Sequence, residues 1–245
     1  MGWIGAVLAR ALQTRGAGFG LVVVALVLVV ALTADVIAPY NPNQAQPAGV
    51  LTAPALAHWL GTDQLGRDVL SRIIHGTRTS VQAGVVSVGF ALVAGVSIGL
   101  LAGYHGGWVD DGLVLVVDAL WSFPTLVLAL AIAASLGPGL TNAMLAIGVV
   151  FTPVFARLVR GQTLSVRERD FVMAARAIGA GPGRLMLRHI WPNVTAPIIV
   201  QTSLLVASAI VVEAALSFLG LGIEPPTASW GSMLKGGYHD VSTGS

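Results

Sequence analysis

Apolar residues dominate five long stretches of this chain, roughly 18–38, 80–103, 113–136, 140–159 and 195–219. A helix crosses hydrocarbon in about 20 mostly apolar residues, because every backbone amide there must be paired within its own segment. The pattern therefore predicts an all-α integral membrane protein with five transmembrane helices. Between them the pattern changes. After the first stretch comes Pro39-Tyr-Asn-Pro-Asn-Gln-Ala-Gln-Pro47, whose prolines and amides predict an irregular external segment. Next, Val69, Leu70, Ile73 and Ile74 share one helical face and Ser71, Arg72 and His75 another, which predicts a short surface helix feeding the second span. The connections over 104–112 and at Gly137-Pro-Gly139 are too short to hold a domain.

The second span carries Gly95, Gly99 and Gly103, a glycine at every fourth position. Such a flat ridge lets another helix backbone approach closely, which in lipid replaces the missing hydrophobic drive. Packing within the chain is the leading expectation for this ridge, and a subunit interface is the alternative. Pro124 and Pro153 interrupt spans and predict kinks that neighbouring helices repair.

Composition agrees with the pattern: 55% of the 245 residues are hydrophobic, only 10% are charged, and the mean hydropathy is +0.83. That is too little charge to cover a soluble globule of this size. The first apolar stretch follows Arg10 and Arg15 without a clear cleavage site, so it reads as a retained anchor. Cysteine is absent, which excludes disulfides and thiolate metal sites. The basic balance reflects topology rather than nucleic acid. With the N-terminus cytoplasmic, the inner segments hold Arg10, Arg15, Arg157, Arg160, Arg167, Arg169, Arg176, Arg184 and Arg188, against Arg67, Arg72, Arg78 and Lys235 outside.

The most unusual stretch is 165–192, which holds five of the arginines yet is patterned like folded helix. Ser165 and Glu168 have capping-box spacing. Phe171, Ala174, Ala175 and Ile178 then form an apolar stripe, Gly179, Gly181, Pro182 and Gly183 force a turn, and 184–190 can form a second short helix stopped near Pro192. The expectation is a cytoplasmic helical hairpin built for docking. Asp118 and Glu213 lie in or near the ends of apolar runs, where charge is costly. Both read as pathway or structural charges, with interface placement, snorkelling or pairing with arginine ahead of a direct substrate role. None of the five histidines has metal-ligand spacing, so no metal site is expected. No G-x-x-x-x-G-K-[ST] loop occurs and Lys235 is the sole lysine, so energy for any transport must come from another polypeptide.

Three motifs carry a resemblance. Met173-Ala-Ala-Arg-Ala-Ile-Gly179, followed by Arg188-His-Ile-Trp-Pro-Asn193, resembles the EAA loop of the membrane subunits of binding-protein-dependent ABC importers. The stretches from Leu60 to Arg72 (LGTDQLGRDVLSR) and from Glu213 to Gly231 (EAALSFLGLGIEPPTASWG) resemble the second permease of dipeptide, oligopeptide and nickel importers. The resemblance covers most of the chain and implies one transmembrane permease domain, 1–245, of type I importer architecture, with 165–192 as its coupling hairpin. It implies that Ala174, Ala175 and Gly179 permit close approach to a partner ATPase and that Arg176, Arg184 and Arg188 supply charged contacts.

It also implies no catalysis and no cofactor in this chain, with ATP and Mg bound by two cytoplasmic ATPase subunits. A second permease would complete the pathway, and an external solute-binding protein would deliver cargo to segments 39–80 and 220–240. Small peptides are the first expected cargo, with nickel or another chelated small solute as the alternative, across a bacterial or archaeal cytoplasmic membrane. An ion-gradient transporter would need mid-membrane ionisable groups and inverted repeats. An intramembrane enzyme would need a nucleophile paired with a base. Neither pattern is convincing here. Two departures stand out: Met173 occupies the loop position where the family usually has glutamate, and Ser245 comes before the family's usual sixth span. The leading expectation is that the sequence lacks its natural C-terminus, and the alternative is a subunit that ends outside the membrane.

Overall fold

A computed structural model of the protein describes residues 15–46 and 49–243, so Arg10 and Pro47 lie outside the described residues. The helices are α1 (Arg15–Ile37), α2 (Val69–His105), α3 (Gly107–Trp121), α4 (Thr125–Leu136), α5 (Leu140–Arg167), α6 (Asp170–Ala177), α7 (Pro182–Phe218) and α8 (Trp230–Thr243). Among the described residues there is no strand, only an isolated bridge between Thr62 and Asp68. Four helices, α1, α2, α5 and α7, are long and apolar enough to cross a membrane. The fifth expected span is α3 and α4 together, a pair bent by 93°. Its apolar run is long enough to cross, but Pro124 has no amide to continue the ladder and instead caps α4, so the span breaks at Ser122–Pro124.

The chain forms two compact units, residues 1–81 with 225–245 and residues 82–224. In the second unit, α5 lies at the centre of the core, with Ile147, Phe155 and Val159 fully buried among Val88, Leu216 and Val194. The glycine ridge of α2 packs here, inside the chain. A Cβ on Gly95 would fall 2.5 Å from the Phe155 Cβ, one on Gly99 2.6 Å from the Ala156 carbonyl oxygen, and one on Gly103 2.7 Å from the Thr163 Cβ. Three successive turns of α2 thus meet the α5 backbone directly, as the spacing requires. At one end of this unit the chain after α7 folds back. Gly139 N donates to Gly222 O at 2.8 Å, and Ser217 Oγ accepts from Ile223 N at 3.2 Å.

In the first unit, the expected surface helix is simply the start of α2, with no break before the span. Its polar face is the buried one: Ser71 is 0% and Arg72 4% exposed, whereas Ile73 is 36% exposed. The apolar face is the more exposed one, and the polar face is clamped to the preceding loop. Asp68 Oδ2 accepts from Ser71 N (2.8 Å) and Ser71 Oγ (2.6 Å), while Asp68 Oδ1 bonds His58 Nδ1 at 2.9 Å. Asp63 pairs with Arg67 at 2.7 Å and Arg72 at 3.5 Å, and Arg72 Nη1 donates to the carbonyls of Pro42 and Pro226. Gly66 turns the loop at φ +72°, where an added Cβ would lie 2.0 Å from Gln46 O. The Trp230 indole at the start of α8 donates to Ile73 O at 3.3 Å.

Burial by itself would raise the Asp68 carboxyl, but hydrogen bonds from Ser71 and His58 outweigh it and hold the group below the ordinary carboxylate range. A carboxyl depressed on folding contributes stability that is complete above its unfolded value and is lost as pH falls through the lower folded value. Acidification below about pH 4 is therefore expected to raise hydrogen–deuterium exchange across 58–72, and Asp68→Asn is expected to show raised exchange already at neutral pH. Wild-type protection that stays flat through acid would refute this role. For the ridge, Gly99→Val is expected to destabilise the protein by roughly 1–3 kcal/mol or more, read as a lowered midpoint of thermal unfolding in detergent.

Candidate functional site

The 165–192 segment folds as a hairpin, though not as its capping-box spacing suggests. Ser165 lies in the last turn of α5, which runs unbroken to Arg167, and α6 begins only at Asp170 with Arg169 as an uncapped N-cap. The α5 ladder continues through Ser165 because Val166 and Thr163 are buried against the core and hold the backbone helical. Asp170 supplies the acidic group favoured in a first helical turn.

The C-terminus of α6 follows the sequence. Gly179 has φ +87°, Gly179 N donates to Arg176 O, and Ala180 N donates to Ala175 O at 3.0 Å, the paired bonds of a Schellman stop. Nothing lies within 4 Å of an added Gly179 Cβ. Glycine is thus needed for its backbone conformation within the chain.

The second short helix is also corrected. From Pro182 the chain is one continuous helix, α7, and Pro192 does not stop it. Residues Leu185–Ile190 form a π-helical turn, in which Trp191 N bonds to Met186 O five residues back. The widened turn carries the helix past a residue that cannot donate the usual bond.

The hairpin's inner face is Val172, Ala175, Leu185 and Ile190, all buried in the core that contains α5. Of the expected apolar stripe, only Ala175 points there. Phe171 (41%), Met173 (47%) and Ile178 (87%) are exposed, as are Ala174 and Leu187. The stripe is therefore mainly an outer face. Beside it, Arg184 and Arg188 are exposed without an ion-pair partner among the described residues, and Arg176 lies 5.9 Å from the centre of the Tyr104 ring.

The hairpin is anchored to the ends of other helices by groups that sequence reasoning missed. Arg160 makes a bidentate pair with Asp110, Nε to Oδ1 at 2.5 Å and Nη2 to Oδ2 at 2.6 Å. Arg167 Nη1 donates to Gly103 O at 2.8 Å, satisfying a terminal carbonyl of α2. Both arginines lie on α5 beyond the apolar run, and spacing alone gave no partner for either.

Asp118 pairs with Arg157 at 2.7 Å, and the guanidinium lies 4.6 Å from the centre of the Trp121 ring. This is the arginine pairing expected for Asp118. It borders a cavity of about 320 Å³ lined also by Gly99, Val117 and Arg160. Glu213 is 0% exposed and accepts from Ser217 Oγ at 2.7 Å, so it does not snorkel to an interface. Asp118 and Glu213 therefore sit apart from the hairpin, and each is tied into the fold. Among the described residues no group of three or more His, Cys, Asp or Glu could hold a metal.

The bent α3–α4 pair frames a second cavity, of about 440 Å³, with α5 and α7. Its walls include Trp121, Phe123, Phe151, Gln201, Leu205 and Ser208. No reading of the sequence singled these out, although Gln201 and Ser208, seven residues apart in an apolar span, carried the signal.

Four apolar spanning helices, a bent fifth and a projecting helical hairpin define a polytopic all-helical membrane permease. Residues 95–242 match the family described as "Binding-protein-dependent transport system inner membrane component", and residues 3–54 match "N-terminal TM domain of oligopeptide transport permease C". The chain is 44% identical over 216 residues to the dipeptide transport system permease protein DppC of Alkalihalophilus pseudofirmus, covering 88% of this chain and 71% of that protein. It is 40% identical over 219 residues to the glutathione transport system permease protein GsiD of Pectobacterium atrosepticum, covering 89% and 73%. A chain of the inward-facing MetNI methionine ABC transporter shares the fold, with a TM-score of 0.57 at 20% identity over 70% of this chain and 81% of that one. The chain belongs to the family of binding-protein-dependent transport system inner membrane components.

The two adjacent alanines have opposite surroundings, and this predicts opposite outcomes. Ala175→Leu would overpack a buried site and is expected to destabilise the protein by about 1–3 kcal/mol. Ala174→Leu, on the exposed face, is expected to leave the unfolding midpoint unchanged. Thermal unfolding of both variants in detergent checks the contrast.

Proposed function

We propose that this protein is a permease subunit of an ATP-driven importer of small peptides, forming the translocation pathway with a second permease. The observation that carries the reading is the exposed apolar face of the hairpin, Phe171, Ala174 and Ile178, flanked by Arg176, Arg184 and Arg188. An apolar patch rimmed by charge on a projecting, internally braced helix is suited to docking. With the N-terminus cytoplasmic and the bent pair counted as one span, this face meets the cytoplasm, where two ATPase subunits holding ATP and Mg would bind it. Ala174 and the outer surface of the Gly179 turn make the contact, while Ala175 supports it from inside.

The external loop braced by Asp63, Asp68 and Arg72, together with segment 220–240, would receive a solute-binding protein. The chain itself catalyses nothing and needs no cofactor. The peptide transport named for several relatives supports a peptide cargo over a chelated metal, as does the uncharged cavity at the bend. Asp118 and Glu213 act as structural charges, each fixing a helix of the pathway.

Co-purification from membranes tests the reading. The intact chain is expected to bring down a second permease and an ATPase. Gly179→Val, strained by a φ of +87°, is expected to insert normally but lose the ATPase. Uptake driven by an ion gradient with no ATPase attached would sink the importer reading, and undiminished ATPase capture by Gly179→Val would sink the hairpin's role.

A further inference from the structure

The cavity at the α3–α4 bend lies wholly within the second unit and is distinct from the hairpin. Its volume of about 440 Å³ falls inside the ~300–1,000 Å³ range of small-molecule sites. Trp121 and Phe123 from the bend, Phe151 from α5 and Leu205 from α7 give it an aromatic and aliphatic wall. Gln201 and Ser208 are its polar points on α7. With Leu205 they follow i, i+4, i+7 spacing and so form one stripe.

Three properties limit what the cavity can hold. No lining residue is ionisable, so it offers none of the carboxylate or imidazole ligands that divalent metals require and no counter-charge for a free terminus. The half-buried Gln201 side-chain amide makes no hydrogen bond among the described residues, so its donors and acceptor are available on the cavity wall. Ser208 Oγ donates its hydrogen to Leu204 O at 3.1 Å, which leaves only lone pairs for a ligand. Gln201 thus offers donors and an acceptor, and Ser208 an acceptor. Together they complement a neutral peptide unit, which presents one N–H and one C=O. Aromatic rings beside them accept apolar side chains of varied shape by area rather than by specific bonding.

We propose that this cavity is a transit subsite for the uncharged interior of a peptide. A backbone amide bonds to Gln201 and Ser208, and the adjoining apolar side chain lies against Trp121, Phe123 and Phe151. The charged termini remain outside the cavity, where water or other groups meet them. This inference rests on the peptide-importer reading and names the cargo feature that this chain contacts.

The chain has no cysteine, so Ser208→Cys places a single thiol of this subunit on the cavity wall. The complete importer, with partner subunits free of reactive thiols, is reconstituted in proteoliposomes with its binding protein and ATP. The dipeptide Ala-Phe is the probe. It is expected to slow modification of the Ser208→Cys thiol by N-ethylmaleimide. Gln201→Leu and Ser208→Phe are expected to cut Ala-Phe uptake by about tenfold or more while the ATPase still co-purifies and hydrolyses ATP. If the wild type imports Ala-Phe and either the thiol goes unprotected or both variants import it at the wild-type rate, the subsite is overturned and the peptide reading stands. A wild-type complex that imports no peptide overturns both.

Discussion

The closest constraint in this protein is the contact of the α2 glycine ridge with the backbone of α5. Hydrocarbon gives helices no hydrophobic reason to associate, so the attraction must come from many close van der Waals contacts. Gly95, Gly99 and Gly103 supply them by placing no side chain on the α2 side of the contact. Because α5 is fixed along three turns, its far end has a defined position. Arg160 can then reach Asp110 with both carboxylate oxygens engaged, and Arg167 can reach the last carbonyls of α2. The hairpin inherits that position, since only two residues separate the end of α5 from the start of α6.

Charge is arranged by the same economy. An unpaired charge in or near the membrane is costly, and Asp110, Asp118 and Glu213 each have a partner within the fold. Asp110 and Asp118 tie α3 to α5, and Glu213 holds the last turn of α7 through Ser217. The loop before α2 uses the same device in a wetter setting, with Asp63 and Asp68 bonding loop amides, arginines and Ser71. Arg169, Arg184 and Arg188 of the hairpin are exposed without an ion-pair partner among the described residues, which sets them apart from Arg157, Arg160 and Arg167, each of which joins two helices.

Much of this was legible in the sequence, and the failures share a cause. Span positions follow from length and apolarity, which are properties of the segment alone, and so does the glycine stop at Gly179. Features that depend on a neighbour were not legible. The 113–136 run is apolar enough to cross unbroken, and its 93° bend appears only with the cavity walls around Pro124. Ser165 and Glu168 have the spacing of a helix start, but burial of Thr163 and Val166 keeps α5 helical past them. Pro192 looks like a stop until the π-helical turn before it is seen. Met173 is a milder case. It lies half-exposed on the outer hairpin face beside Phe171 and adds to the apolar surface there, with Asp170 one turn away as the nearby acid.

These local features combine in the two helices that leave the hairpin. One is α5, held along its length by the glycine ridge and two arginine pairs. The other is α7, which runs from Pro182 to Phe218 with a π-helical turn near its start. Nineteen residues of helix separate Pro182 from Gln201, roughly 28 Å at 1.5 Å per residue. A displacement of the hairpin therefore has two rigid routes into the membrane, and both end on walls of the cavity at the bend. The π-helical turn already uses an i+5 register, so the pitch of α7 can change there with its hydrogen bonds kept. The broken α3–α4 pair forms the remaining wall: Asp110 and Asp118 brace α3 to α5, and Ala129 and Ala133 of α4 are fully buried in the core that contains α5. Relative motion of α5 and α7 would then reshape the cavity, because the two helices carry different walls of it, Phe151 on α5 and Gln201, Leu205 and Ser208 on α7.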